Sequence, residues 1–536
     1  MIKSKFFYPC LLIALWVLMI CIVNPIGNFP LNDDWQYARP AMFLVNKGYY
    51  FSPDSYSPII VMQVLWGSLF CLPFGFSFTA LRISVLVLGL IGILTFYFLV
   101  YSISRNKHIS FIGSLLLVTN PIYFSLSNTF MTDVPFLTFA IISIYLFFKS
   151  LETSNPAFLI AATITVVLTT LIRQFGMVIP IAYFITAIFK QKPKLYQWII
   201  YLLPLIITFT AYKITLVWLK HIGSEFHPYY GDGDLMNKPG QYFFHMYDRI
   251  GIILYYTGVF LLPFTIYQCG AFFKNSSTKK ILVSAGLIII SLPSLIHVWN
   301  RVPIENIINP GAIGPTTLRE YHFWCLPRID NIRHFSSIFS LLGFIGAILL
   351  LLQLGSVISA FYMKYKLKDT KIDALRNIFI IGCIIIYALL MFFPEFLFDR
   401  YLLIYTPLFF LLIFKEPVIA KMKLPLFLIS SIFIVLFAAF SSIGTHDYLA
   451  WNRSRWDAWN YAVNTLKINP NHMDGGYECA GWVLGQGYDP LHNKPKYDNE
   501  YLLTFGPEEG YDLVKQFPFQ NYFPYETKTI WILHRK

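Results

Sequence analysis

The sequence predicts an α-helical polytopic membrane protein with a small mixed α/β domain at its C-terminus. Three observations lead there. The 536 residues are 56% hydrophobic and only 13% charged, with a mean hydropathy of +0.58, whereas a soluble chain carries roughly a quarter charged residues. Apolar runs of about 18 residues or more recur, each able to cross a ~30 Å hydrocarbon core. Basic residues gather in every second connection between those runs, as topology-setting charges do.

The first run, Phe6 to Val23, has signal-peptide character but lacks an Ala-x-Ala-like cleavage site, so it is expected to be a retained helix. About thirteen helices are predicted, at 6–26, 79–103, 109–126, 134–150, 156–172, 175–190, 196–218, 250–271, 281–298, 335–363, 375–394, 401–415 and 424–443. With the N-terminus in the cytoplasm, the inside segments hold Lys3 and Lys5, Arg105 and Lys107, Lys149, Lys190 to Lys194, Lys274 to Lys280, Lys364 to Lys371, and Lys415 to Lys423. That rule puts the acidic and aromatic clusters, and the C-terminus, on the outer side. The net charge of +13 is therefore read as topology and not as a nucleic-acid surface. Of the seven cysteines, only Cys325 and Cys479 fall in outside regions, the one pair an oxidising compartment would join, and no metal-binding Cys/His spacing is present.

The first outside connection, about 27–78, opens with Asn32-Asp33-Asp34-Trp35-Gln36-Tyr37-Ala38. It continues through an amphipathic run (Trp35 to Leu44), a turn-rich patch (Phe51 to Pro58) and an apolar run (Ile59 to Leu72) too short to span, expected to lie on the surface or dip into it. Larger outside loops follow at 219–249 and 299–334. After residue 443 the composition turns polar and aromatic, so the chain divides into a membrane domain, 1–443, and an outside domain, 444–536, with strand-like runs such as Thr529 to Leu533.

Four features carry chemistry. Asp33 and Asp34 are paired carboxylates at a membrane surface, suited to general-base work or to a cation; the bland alternative is a helix cap. Asp133, in Met131-Thr132-Asp133-Val134-Pro135, opens a helix and has the same alternative. Arg173 lies between two apolar helices, where charge is costly and paired, unless its side chain snorkels to the headgroups. Arg400-Tyr401 has the same alternative for Arg400, or pairing with Asp399, and an interfacial aromatic belt for Tyr401.

In order and sidedness these residues resemble the GT-C glycosyltransferases, more narrowly the bacterial aminoarabinose-transferase and protein O-mannosyltransferase group. The resemblance rests on the acidic pair at 33–34, Ser57-Pro58, Leu-Pro-Phe-Gly at 72–75, Ala80-Leu81-Arg82, Asn120-Pro121, the stretch 131–135, and Arg400-Tyr401 ahead of Pro407. It is clear over 1–200 and loose to 443. Two departures stand out: Asp34 replaces the frequent Glu, and Tyr56-Ser57-Pro58 replaces Lys-Pro-Pro, so the phosphate-meeting lysine is missing and Arg173, or less directly Lys47, stands in. The resemblance implies transfer of a sugar from a polyprenyl-phosphate donor to a lipid, glycan or protein acceptor at the outer face, with inversion, in a bacterial inner membrane. Asp33 would be the base and Asp34 its alternate. Asp133 would orient the acceptor or share a divalent cation (Mg²⁺, Mn²⁺ or Ca²⁺) with Asp33, although many relatives need none. Arg173 and Arg400, with Tyr401, would hold the donor phosphate. Two other classes stay open: a lipid-linked glycan polymerase or ligase, centred on the basic loop 299–334, and a transporter or flippase, which would show repeats and midplane charges.

Overall fold

Each apolar segment picked out in the sequence forms helix in the structure, a computed structural model that describes residues 6–52, 59–153, 155–189, 194–224, 239–274, 277–299, 332–366, 372–392, 397–414, 424–484, 499–523 and 525–536. α1 (Phe7–Val23) is followed by α2 (Asp34–Lys47) and α3 (Val61–Cys71), which lie in the first long connection. Then come α4 (Phe78–Ser104), α5 (Lys107–Val118), α6 (Pro121–Ser127), α7 (Asp133–Thr153) and α8 (Pro156–Thr170). A 3₁₀ turn, Gln174–Met177, leads into α9 (Val178–Ile188), and α10 (Leu195–His221), α11 (Pro239–Lys274), α12 (Thr278–His297), α13 (Ile332–Lys366) and α14 (Ile372–Met391) follow. A second 3₁₀ turn, Asp399–Leu402, precedes α15 (Tyr405–Ile413), and α16 (Leu424–Asn464) is the longest helix.

Local chemistry sets the ends. Ser77 caps α4 by accepting the Thr79 amide, and Asn106 caps α5 by accepting those of His108 and Ile109. Asn120-Pro121 and Asn155-Pro156 start α6 and α8 with an Asn cap and Pro in the first turn. The expected helix 109–126 is in fact two, bent by 63°. Asn120 is extended and its side chain accepts the Ile122 and Tyr123 amides, while Pro121 has no N–H to continue the ladder. Among the described residues, eight helices are long and apolar enough to cross a membrane, nine if this bent pair is one span. Others, such as α1 with 17 residues and α8 with 15, fall short of the usual ~20-residue span. Length thus supports eight or nine crossings and leaves the expected thirteen open. The protein is an integral membrane protein.

The expected domain boundary at 443 is not a break. α16 runs through it for 41 residues, about 60 Å at 1.5 Å per residue, twice the hydrocarbon thickness. Its first half turns Ile432, Val435 and Leu436 outward, while Gly444 to Asn452 are all buried. The polar second half stays helical because it is the post on which the C-terminal region is built. That region holds β1 (Met473–Asp474), α17 (Tyr477–Leu484), β2 (Tyr501–Thr504), β3 (Tyr511–Tyr522) and β4 (Tyr525–Arg535). The sheet order is β1-β2-β4-β3, with β1–β2 parallel and the other pairs antiparallel. The strand expected at Thr529 to Leu533 is the middle of β4.

The two ends of the bundle differ in charge. At one end Glu152 meets Lys149 (2.9 Å) and Arg105 (3.5 Å), both from segments expected to be basic, and Arg376 (3.3 Å) of α14. At the other end sit Asp33, Asp133, Arg173 and Arg400. The short apolar run Ile59 to Leu72 forms α3, which packs on α2 and α4. Trp66 Nε1 donates to the Ser84 carbonyl (2.9 Å), and Gln63 Nε2 to that of Phe130 (2.5 Å). Cys479 is buried; its expected partner Cys325, the motif Tyr56-Ser57-Pro58, the loop 225–238 and most of 299–334 lie outside the described residues.

Candidate active site

Asp33 occupies the N-cap position of α2 yet its side chain makes no cap hydrogen bond. Its Oδ2 lies 3.2 Å from Arg400 Nη2. The left-handed Asn32 (φ 55°) turns the chain just before it. Asp133, the first residue of α7, pairs through Oδ1 with Arg173 Nη1 at 2.9 Å, and Arg173 Nε donates to Thr132 Oγ1 at 2.6 Å. Both arginines are almost wholly buried, so neither snorkels. Pairing is what lets such charges be buried at all.

Tyr401 joins the two pairs. Its ring lies 5.2 Å from the Arg173 guanidinium and 5.7 Å from that of Arg400, within cation–π range of both. Its carbonyl accepts from the Tyr387 hydroxyl (3.0 Å). Phe398 lies 4.5 Å from the Arg400 guanidinium, and the Asp399 carboxylate takes the backbone amide of Arg400 (2.7 Å). Burial opposes the Arg400 charge, but Tyr401, Asp33, Asp133 and Tyr37 around it hold its pKa above the usual arginine range. Tyr37, one turn along α2 from Asp33, is buried in the same cluster, and its hydroxyl pKa is raised by that burial and by Asp33.

Asp34 faces the other way. Its Oδ1 accepts the Leu31 amide (2.6 Å) and its Oδ2 the Phe130 amide (3.2 Å), stitching the first connection to the turn before α7. Burial pushes its carboxyl up to about 8, against the pull of Arg82 and the two amides. The two carboxylates expected to share one site are thus apart: Asp33 faces Arg400 in the cluster, while Asp34, expected as the alternate base, is hydrogen-bonded into the scaffold. Lys47, at the far end of α2, is exposed and about 20 Å along the helix from Asp33.

The donor set does not fit a resident divalent cation. Asp33 and Asp133 each face a guanidinium, and among the described residues no three His, Cys, Asp or Glu side chains gather. The arrangement offers instead two buried guanidiniums flanking one aromatic ring, each opposite a carboxylate. Such a pair can receive an oxyanion by turning from carboxylate to ligand.

Sequence reasoning missed the supports. Arg82 donates to the carbonyls of Pro25, Gly27 and Phe29, fixing the chain that leads to Asn32. Glu478, fully buried in α17, accepts the Asn32 amide (3.0 Å) and pairs with the fully buried Arg455 of α16 (2.9 Å). Arg39 donates to the Gly481 and Trp482 carbonyls and lies over the Trp35 and Trp482 rings. A charge at the start of an apolar helix could have flagged Arg82; nothing local marked Glu478.

Residues 58–218, which include Asp133 and Arg173, match the family profile described as dolichyl-phosphate-mannose-protein mannosyltransferase. The matched stretch is less than a third of the chain. Among solved structures it is similar to ArnT from Cupriavidus metallidurans in the apo state (12% identity, 97% of each chain, TM-score 0.41). It is also similar to the same protein bound to undecaprenyl phosphate (11%, 98% of each, 0.40). A third likeness is to the arabinosyltransferase EmbB from Mycobacterium smegmatis (9%, 90% of this chain and 43% of that one, 0.35). Among curated proteins no sequence matches significantly.

Proposed function

We propose that the chain is a membrane glycosyltransferase of the GT-C superfamily that moves a sugar from a polyprenyl-phosphate donor to a lipid, glycan or protein acceptor at the outer face of a bacterial inner membrane, with the C-terminal region on that face. The observation that carries the reading is the convergence of Asp33, Asp133, Arg173, Arg400 and Tyr401 at the end of the bundle away from the basic connections. A lipid-linked donor delivers its phosphate at that depth.

Arg400 and Arg173 bind the phosphate and stabilise the charge that builds on it as it leaves. When Arg400 turns to the phosphate, Asp33 is released toward the acceptor. The acceptor oxygen or nitrogen attacks the anomeric carbon from the opposite face. Its proton passes to Asp33, and the sugar–phosphate bond breaks with its electron pair going to polyprenyl phosphate, which inverts the anomeric centre. Asp133 orients Arg173. Charges at one end of the bundle, not at its midplane, argue against a transporter.

The test is release of polyprenyl phosphate by the purified, reconstituted protein, with lipid, glycan and protein acceptors tried in turn. Asp33→Asn is expected to lower turnover about 10²–10⁴-fold, the usual weight of a general base, with donor binding retained. Near wild-type turnover would remove Asp33 as the base. No release with any acceptor would remove the transferase reading.

A further inference from the structure

The β3–β4 hairpin is longer than the rest of its sheet requires. β2 pairs only with His534 to Trp531 of β4, while β3 and β4 stay paired down to Tyr522 opposite Tyr525. β3 descends along α16. Lys515 sits over the Tyr461 ring (3.7 Å), the Phe517 carbonyl accepts from Ser454 (2.8 Å), and the Tyr522 ring stacks on His446 at 3.6 Å. Asp447 fastens the tip by accepting the amides of Tyr522 (2.8 Å) and Phe523 (3.1 Å).

The depth of that tip follows from two contacts on the same helix. Arg453 of α16 donates to the carbonyls of Asn24 and Ile26, where the lipid-facing α1 ends. Asp447 lies six residues nearer the membrane along α16, about 9 Å at 1.5 Å per residue. The tip therefore lies close to the level at which α1 ends. It carries three exposed large aromatics, Tyr522 (44% exposed), Phe523 (54%) and Tyr525 (79%). Aromatic side chains of this kind sit at membrane–water interfaces. Glu526 and Lys528 follow on β4 and pair with each other at 2.9 Å.

We propose that this hairpin tip is inserted in the headgroup–acyl interface of the bilayer that the helices cross, and that it gives the C-terminal region a second attachment to the membrane surface beside α16. The occupant is lipid, because the exposed aromatics of the tip lie beside the end of α1 and on the membrane side of the sheet, along the helix whose first half turns Ile432, Val435 and Leu436 outward.

The experiment uses the full chain in vesicles of phosphatidylethanolamine and phosphatidylglycerol. A benzophenone amino acid replaces Phe523, Tyr525 or, as the control, Val514, which is exposed on the same strand and about 30 Å up it. After irradiation, lipid adducts are read by mass spectrometry. Many-fold more phospholipid adduct at 523 and 525 than at 514 is the expected result. Background adduct at all three positions would overturn the proposal, and so would crosslinks from 523 and 525 to a second copy of the chain in place of lipid.

Discussion

Asp33 and Asp34 are neighbours with opposite surroundings, and each carries its own prediction. Folding raises the Asp34 carboxyl from 3.8 to about 8. An acid raised in this way favours the folded state while protonated, so its contribution is whole below about pH 4 and is lost as pH climbs through about 8. Thermal unfolding of the purified protein between pH 5 and 9 should show that decline. In Asp34→Asn the decline should be absent, whatever the substitution costs at a single pH. Arg173→Ala strands the buried Asp133 and is expected to destabilise by about 3–5 kcal/mol, whereas Arg173→Ala combined with Asp133→Asn should recover much of that stability and none of the donor affinity. Recovery of donor affinity in the double variant would make Arg173 a purely structural residue. At this scale the residue types were legible: a charge in apolar surroundings needs a partner. The partners were not, because Arg173 and Asp133 are 40 positions apart and Arg400 and Asp33 lie at opposite ends of the chain.

At the scale of elements, the acidic turn is held by α17, a short helix from the far end of the sequence. Glu478 is both the acceptor for Asn32 and the partner of Arg455. Glu478→Ala leaves a buried guanidinium unpaired and frees the turn that carries Asp33. Hydrogen exchange across residues 27–47 should rise and turnover should fall, with the donor KM nearly constant. Glu478→Gln keeps an acceptor for the amide and should restore part of the turnover. Equal protection in both variants and the wild type would show that α17 does not position the turn. Gly481 is the other point of closure, since a Cβ there would sit 2.3 Å from the Trp35 ring. The helices themselves were legible from apolar runs, and the break at Asn120-Pro121 was present in the sequence as a cap followed by a proline. The continuous run of apolar residues masked it.

At the scale of the molecule, α16 couples the membrane bundle to the sheet, so the two predicted domains share one helix. Removing residues 465–536 would uncover the buried face from Gly444 to Ala462 and release the α17 grip on the first connection. The truncated protein is expected to enter the membrane, because its apolar spans are intact, and to lose transfer. Transfer at the wild-type rate would show that the C-terminal region is an accessory to an independent catalytic bundle.

The sequence by itself determined the class of molecule and its layout along the chain. Hydrophobic runs and alternating loop charges act locally, so they can be read in order, and they brought Asp33, Asp133, Arg173 and Arg400 to one expected face. Only the tertiary structure decided which of two adjacent carboxylates enters the cluster, which arginine each carboxylate meets, and that a glutamate from the C-terminal region holds the turn in place. Those outcomes depend on burial and on contacts between residues as many as 446 positions apart, and a buried charge takes whichever partner the packing brings within reach.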